Sequence, residues 1–255
     1  MRWVFAFLLF SRLAVAQNLG HPLDSRLLNL PTLATVGPST LEVIFTHRFT
    51  QTVQDGGGEE LFGLDSAADI GIGVALGLGS GAQVELYRSS FLKEVELAGK
   101  LVLLPFREGR PWGLAVRAGG DYRGGFGLNP RWSGFAQAVI ALRPHPQWEL
   151  ALVPTFVTDT PTLRRAGNVG FAWVWHLPRR FRVEGELIPP NPQTEGAKLA
   201  WTLGLTKGVG GHSFTFYVGN SRATTTDLWV GSDFPGRSRV KDLRLGFNLV
   251  RRFPE

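Results

Sequence analysis

Apolar and polar residues alternate with a period of two along most of this chain, most clearly from Ala67 to Ser90. The even-numbered positions 70–78 are all branched aliphatic residues, whereas the odd-numbered positions 69–77 are small or acidic. Because successive side chains of a strand point to opposite faces, this stretch predicts a strand with one apolar face. Leu78–Gly81 predicts a turn, after which the alternation resumes. The stretch therefore predicts a β-hairpin whose apolar side chains share one face.

The same unit recurs to the end of the chain and predicts about twelve strands, each near the ~9–11 residues that cross a membrane at a tilt. The connections tend to alternate in length. An even number of strands with short turns at one end and longer loops at the other is typical of outer-membrane barrels. We therefore predict an all-β fold, a transmembrane antiparallel up-and-down β-barrel of about 12 strands. The predicted long connections are Thr50–Ser66, Gly119–Arg131 and Thr158–Gly167, and the short ones are Leu78–Gly81, Arg143–Gln147 and Pro178–Arg180.

The N-terminus has the three parts of a secretory signal. Arg2 supplies a positive start, Trp3–Phe10 is an uninterrupted apolar run, and Ala14–Ala16 has the small residues of a cleavage site. The run is too short to span a membrane, so we predict a signal peptide cleaved between Ala16 and Gln17 and export to the outer membrane. The predicted organisation is a signal peptide at 1–16, an irregular periplasmic lead-in at 17–39 and an outer-membrane β-barrel domain at 40–255.

The amino-acid composition excludes several classes of function. The hydrophobic fraction is 44% and the mean hydropathy is +0.02, which a barrel tolerates because only every second strand residue faces lipid. The net charge is +6 and the pI is about 10.2, but basic residues are interspersed with acidic ones, so we predict no nucleic-acid partner. The chain has no cysteine, which excludes disulfides, thiolate metal sites, a cysteine nucleophile and a lipoprotein anchor.

No arrangement of reactive side chains in the sequence indicates catalysis or cofactor binding. The histidines show no metal-ligand spacing. His212 and Ser213 are adjacent, so in a strand they point to opposite faces and cannot form a catalytic dyad. The acidic run Asp55–Glu60 could bind calcium, but a solvated loop is the favoured interpretation. We predict no catalytic residue, no cofactor and no metal site, and hence no enzyme.

Charged residues of both signs fall on the face that the pattern assigns to the barrel interior. In a barrel of about twelve strands they would either line a narrow aqueous pore or pair and plug it, and the sequence leaves both open. Lys198 is predicted to lie near Glu186 because their strands are sequential. We hypothesise that this cluster narrows the lumen rather than binding a substrate. The lumen-lining candidates are Arg117, Arg182, Glu184, Glu186, Lys198 and Arg244.

The sequence predicts an irregularity in one strand and two alternative registers in another. Pro154 lies inside a predicted strand, and because proline removes a ladder donor we predict a bulge there. Around Phe135 the apolar residues fit two registers, one with Phe135 and Val139 on the lipid face and one with Ala138, Ile140 and Leu142 there. The sequence does not choose between them.

Several short motifs follow one another in a familiar order. They are Thr46–Phe49, Leu61–Ser66, Val153–Val157, His212–Phe214, Gly219–Ser221 and Leu245–Asn248. In this order they resemble a bacterial family of membrane-bound β-barrel domains of unknown function, from about Leu28 to Phe253. The resemblance implies a barrel in the membrane and no particular site residue. The last strand, with Gly246 and Phe253, also resembles the C-terminal signal of barrel-assembly clients, which implies that machinery as a partner.

These features predict a narrow pore or transport barrel surrounded by outer-membrane lipid. The alternative is a non-conducting structural or partner-binding barrel, and an outer-membrane enzyme is the third and least favoured interpretation. Whether the lumen is open or plugged separates the first two, and the sequence alone does not decide it.

Overall fold

Twelve antiparallel strands form one closed barrel in the computed structural model, which describes residues 23–124, 131–162, 164–231 and 242–254. The strands are β1 (Leu41–Phe49), β2 (Ala68–Gly79), β3 (Ala82–Ser89), β4 (Val95–Leu104), β5 (Trp112–Arg123), β6 (Arg131–His145), β7 (Trp148–Asp159), β8 (Arg164–Leu177), β9 (Phe181–Ile188), β10 (Ala200–Val209), β11 (His212–Gly219) and β12 (Arg244–Phe253). Each strand pairs with its neighbours in chain order, and β1 closes the barrel against β12. The predicted fold class is confirmed.

The two faces of each strand follow the sequence pattern. In β2 the aliphatic residues at 70–78 are exposed on the outside, whereas the small or acidic residues between them face the interior and are buried. Val74 and Leu86 lie opposite each other on the outer face of the β2–β3 hairpin. Exposed apolar side chains that form a continuous outer band are typical of a surface in contact with lipid.

The two ends of the barrel differ in their connections. At what we call the short-turn end, the strands are joined by residues 80–81, 105–111, 146–147, 178–180 and 210–211. At the opposite, long-loop end, the connections include residues 50–67, 189–199 and 220–243. Leu41 and Phe253 pair at the short-turn end, so the strand system begins and ends there.

Two of the predicted long connections are shorter than predicted. In the first, Gly119–Arg131, β5 continues to Arg123 and β6 already begins at Arg131. The sequence predicts a long loop over Thr158–Gly167, but β7 continues to Asp159 and β8 already begins at Arg164. Asp159 and Arg164 are cross-strand partners, and the Asp159 carbonyl accepts a hydrogen bond from Ser133 at 2.6 Å. Polar residues here extend the ladder because they pair across strands, so composition alone misplaces the loop.

The structure resolves the register of β6 and β7. Phe135 and Val139 face the interior, and Ile140 faces outward. The bulge predicted at Pro154 is wrong. Pro154 pairs with Val169 in β8, while on its β6 side the ladder is interrupted without a change of register. The missing proline N–H therefore removes pairing locally and inserts no extra residue.

The helices in the described ranges are short. None of them is long and apolar enough to cross a membrane. The predicted cleavage site at Ala16 and Gln17 lies outside the described residues. The α-helices are Val53–Gly56 and Thr226–Val230, and the 3₁₀ turns are Leu61–Gly63, Phe91–Lys93 and Pro178–Arg180.

Candidate functional site: the filled lumen

Residues 23–36, which we call the plug, lie inside the barrel. This corrects the predicted periplasmic lead-in, because the segment is buried almost throughout. It starts at the short-turn end, where Arg252 donates to the Leu23 carbonyl at 2.6 Å. It returns to the same end, where the Val36 N–H donates to Gln83 at 2.8 Å. The plug is therefore a re-entrant loop whose tip points toward the long-loop end.

One carboxylate on the wall holds the tip of the plug. Glu186 of β9 accepts hydrogen bonds from the backbone N–H groups of Leu28 at 3.1 Å, Asn29 at 2.8 Å and Leu30 at 2.8 Å. The Asn29 side-chain amide also donates to it at 2.8 Å. Buried polar groups are costly unless they are hydrogen-bonded, and bonds to a charged acceptor are the stronger kind. Glu186 therefore accepts the hydrogen bonds of three backbone N–H groups in the turn at the plug tip, which is not part of a strand.

Ion pairs hold the base of the plug. Asp24 forms salt bridges with Arg182 and with Arg252, the latter at 3.3 Å, and accepts a hydrogen bond from Ser213 at 2.9 Å. Arg182 also donates to Glu184 at 2.6 Å. The predicted lumen residues Arg182 and Glu184 thus anchor a segment of the same chain.

The other side of the plug is apolar. Leu23, Leu27, Leu30 and Leu33 belong to a buried hydrophobic cluster with inward residues of the β5–β8 wall. Leu30 has no exposed surface at all. Burial of this kind contributes about 1.5–3 kcal/mol for each large aliphatic side chain. Part of the lumen is consequently a packed core rather than a water-filled channel.

Glycines in the wall make room for the plug. A Cβ added at Gly77 would lie 1.8 Å from the Gly37 carbonyl oxygen, and one at Gly170 would lie 2.8 Å from the Leu30 side chain. The first contact is with backbone, which cannot move aside easily. Both glycines occupy inward positions, so they permit close approach of the inserted segment.

Residues 221–231, which we call the inner loop, enter the lumen from the long-loop end. The hydroxyl groups of Thr224 and Ser89 are hydrogen-bonded to each other at 2.8 Å, and the Thr226 N–H donates to Glu96 at 2.8 Å. The helix Thr226–Val230 is buried along its whole length. Asn191 donates to the Val230 carbonyl at 3.1 Å, which fixes the end of the helix.

The plug and the inner loop meet through two wall side chains. Arg48 donates to the Leu28 carbonyl at 3.0 Å, and to the Ala223 carbonyl of the inner loop. Glu96 accepts from Thr226 and lies 3.8 Å from Arg26 of the plug. These contacts link the plug to the inner loop across the lumen.

The predicted lumen-lining residues divide into three groups. Arg117, Arg182, Glu184 and Glu186 are buried in the lumen. Arg244 is half-buried at the long-loop end and donates to the Thr50 carbonyl at 3.1 Å.

Lys198 is exposed in the loop 189–199 and does not line the lumen, because β10 begins only at Ala200. The predicted pairing with Glu186 is not formed: Lys198 is exposed, whereas Glu186 is buried and binds the plug tip.

Buried carboxylates lie beneath the inner loop. The Nη1 atom of Arg123 is 3.3 Å from Asp227 of the inner loop, and its Nε atom is 3.9 Å from Glu94. Burial raises the pKa of Glu94 above its ordinary value, and the nearby Asp227 carboxylate raises it further. Burial likewise raises the pKa of Asp227. Asp121 and Glu96 are buried beside them, so these four carboxylates outnumber the three arginines that face the cluster, Arg123, Arg117 and Arg26.

We expect local opening of the inner loop to become more favourable as pH rises. With a raised folded-state pKa, Glu94 keeps a proton that the unfolded chain releases above the ordinary value of 4.5. Its contribution to stability is therefore complete below that pH and is lost as pH rises toward the raised pKa. Hydrogen exchange of residues 222–231, corrected for intrinsic rates, should show faster opening at about pH 8 than at about pH 5.

The matched variant is Glu94→Gln, which mimics the protonated side chain. It should reduce this pH dependence while the barrel stays closed. Equal protection of the inner loop at both pH values in the unmodified protein would contradict the expectation.

Sequence reasoning missed both inserted segments. A retrospective signal exists for the plug, because Leu23, Leu27, Leu28, Leu30 and Leu33 are too many aliphatic residues for a solvated lead-in. The inner loop gives a weaker signal in the apolar residues of Leu228–Val230 within a polar loop.

The chemistry of an enzyme is not assembled at His212 and Ser213. Ser213 faces inward and donates to Asp24 at 2.9 Å, whereas the His212 ring contacts Arg251. Across the described ranges, no group of three or more His, Asp or Glu side chains could hold a metal ion.

Comparison with known proteins places the chain in a family. Residues 23–253 match the family model described as a membrane bound beta barrel domain (DUF5777). The chain belongs to this family. No curated protein matches it closely enough to count as a relative.

Solved structures of outer-membrane barrels are similar to this membrane-bound β-barrel. The NanC porin is 10% identical, with a TM-score of 0.50, and the match covers 83% of this chain and 98% of that one. Omp33 of Acinetobacter baumannii is 8% identical, with a TM-score of 0.49 and coverage of 84% and 98%. Outer membrane phospholipase A of Escherichia coli is 13% identical, with a TM-score of 0.48 and coverage of 86% and 98%. At these identities the likeness shows the fold alone.

Proposed function

We propose that this protein is a plugged outer-membrane barrel that does not conduct solutes in its resting state and serves as a structural or partner-binding element. The observation that carries the proposal is the meeting of the plug and the inner loop at Arg48 and Glu96. The packed apolar side of the plug adds support, because water would have to replace that contact before solutes could pass. A narrow pore or transport barrel, the first expectation from the sequence, would require both segments to leave the lumen.

We also propose the orientation and the route to the membrane. The short-turn end would face the periplasm, since short turns lie there in outer-membrane barrels. A signal peptide cleaved between Ala16 and Gln17 would direct export, and barrel-assembly machinery would recognise the strand that ends near Phe253. Ser213 donates to Asp24 and the His212 ring contacts Arg251, so this pair does not form a catalytic dyad; that the protein is not an enzyme stays a prediction.

Conductance in a planar lipid bilayer tests the closed state. We expect the unmodified barrel to give no steady channel current, because both ends of the lumen are filled by its own chain. A variant that lacks residues 23–36 and carries a Gly-Ser linker in place of residues 222–231 should conduct. Heat-dependent mobility on a gel would verify that each variant remains a closed barrel.

The matched control replaces residues 58–62 of an exposed loop at the same end with a similar linker. This variant should stay closed, because the replaced residues lie outside the lumen. Regular channel steps from the unmodified protein would contradict the proposal and favour the narrow pore.

A further inference from the structure

A groove of about 490 Å³ lies at the short-turn end, between the turn 105–111 and residues 143–146 at the end of β6. We call it the rim groove. It is open to the surroundings, and on its inner side Phe106 packs against the buried hydrophobic cluster. Its charged and aromatic lining residues are Phe106, Arg107, Glu108, Arg110, Arg143 and His145.

The lining of the rim groove contains more basic than acidic side chains. Arg143 is bound to Glu149 at 2.8 Å, so its charge is partly neutralised. Arg107 is exposed, and Arg110 uses one guanidinium nitrogen to donate to the Pro105 carbonyl at 2.8 Å. The Nε–H of Arg110 is buried and has no hydrogen-bond partner among the described residues. With Glu108 as the acidic residue in its lining, the groove keeps positive charge and one unused donor.

The groove lies at the level where aromatic side chains meet the membrane surface. Trp112 is exposed on the outer face of the barrel, and the Arg110 guanidinium lies 5.5 Å from its ring centre. Arg143 similarly lies 4.2 Å from the Phe106 ring centre. Aromatic residues favour the boundary between hydrocarbon and water, so exposed Trp112 holds the Arg110 guanidinium at headgroup depth, whereas the Phe106 ring packs against the buried hydrophobic cluster.

The same arrangement recurs around this end of the barrel. Lys207 lies 4.2 Å from the Phe181 ring centre, and Arg251 lies 4.6 Å from that of Phe253. In the described residues the corresponding pairs away from this end involve lumen or inner-loop side chains, such as Arg48 with Tyr217. Cations stacked on the outward-facing rings of Trp112, Phe181 and Phe253 are therefore a feature of the short-turn end.

We propose that the rim groove binds the headgroup of an anionic phospholipid in the leaflet that the short turns contact. Arginine binds phosphate through several donors in a fixed plane, and the exposed Arg107 together with the half-buried guanidinium of Arg110 supplies such donors. Trp112 would lie beside the glycerol region, with the acyl chains along the apolar outer face. The inner leaflet of the outer membrane is the source if the proposed orientation holds, but the binding chemistry does not depend on that orientation.

Native mass spectrometry of the full-length barrel in detergent tests this site. The probes are dioleoyl phosphatidylglycerol and dioleoyl phosphatidylcholine, which differ in headgroup charge. We expect phosphatidylglycerol to bind more tightly, and Arg107→Gln with Arg110→Gln to weaken its binding about tenfold or more. The matched control, Arg164→Gln with Arg165→Gln at the long-loop end, should change it less than about twofold.

Each other outcome overturns the proposal in a distinct way. Equal binding of the two lipids would remove the requirement for an anionic headgroup. Unchanged phosphatidylglycerol binding in the Arg107/Arg110 variant would place the lipid elsewhere. Full displacement of the lipid by inorganic phosphate would indicate a free-phosphate site, and displacement by an acidic peptide at similar concentration would indicate a protein partner.

Discussion

Replacing Arg117 by methionine should lower the free energy of unfolding by about 3–5 kcal/mol, the largest loss that we expect from one substitution. Arg117 is buried in the lumen wall and forms salt bridges with Glu96 at 2.5 Å and with Glu85 at 2.9 Å. It also donates to Gln137 at 2.7 Å and to Thr226 of the inner loop at 3.2 Å. Methionine would fill similar space but remove the closest counter-charge of buried Glu96 and half-buried Glu85. Urea unfolding of the barrel in lipid vesicles measures the loss.

Two variants make the Arg117 experiment specific. Arg164→Met removes an exposed arginine at the long-loop end and should change stability by less than about 0.5 kcal/mol. Adding Glu96→Gln to Arg117→Met should restore part of the lost stability, because it removes one of the uncompensated charges. A loss below about 1 kcal/mol for Arg117→Met alone would show that water enters the lumen and solvates these carboxylates.

The sequence could predict the wall of this barrel because the lipid side imposes a simple rule. Every second residue of a strand must be apolar on that side, so a residue such as Val74 can be assigned outward from its immediate neighbours. The interior has no such rule. Asp24 and Arg182 form a salt bridge across the plug base although they are distant in the chain, and neither has a local pattern that names its partner.

The candidate site was therefore predicted only in part. Glu186 was assigned correctly to the interior by the alternation, but its partner is the backbone of the plug tip rather than Lys198. Lys198 was misplaced because strand ends are set by pairing, and β10 stops pairing at Ala200. The strand pattern does not predict the plug, because the leucines of residues 23–33 lie outside the alternating strands. The cue to the plug is that these leucines need a buried environment.

Replacing Val74 by arginine should cost about 2–4 kcal/mol, because it would put a charge on the lipid face near the middle of a strand. Val74 is 38% exposed on the outer surface, and its partners Val43 and Leu86 in the flanking strands are also outward and apolar. No opposite charge lies beside it among these partners. The same vesicle-based unfolding measurement would record the loss, and a barrel that is not in a bilayer would tolerate the arginine.

The matched variant is one residue away and points to the opposite face. Ala75 is buried toward the lumen and pairs with Glu42 on one side and Glu85 on the other. A serine there would place its hydroxyl group between two carboxylate-bearing neighbours, to which it could donate a hydrogen bond, so Ala75→Ser should cost less than about 1 kcal/mol. Because a shift of one residue exchanges the faces of a strand, the reverse ranking, with arginine tolerated at 74 and serine not at 75, would mean that β2 has the opposite register.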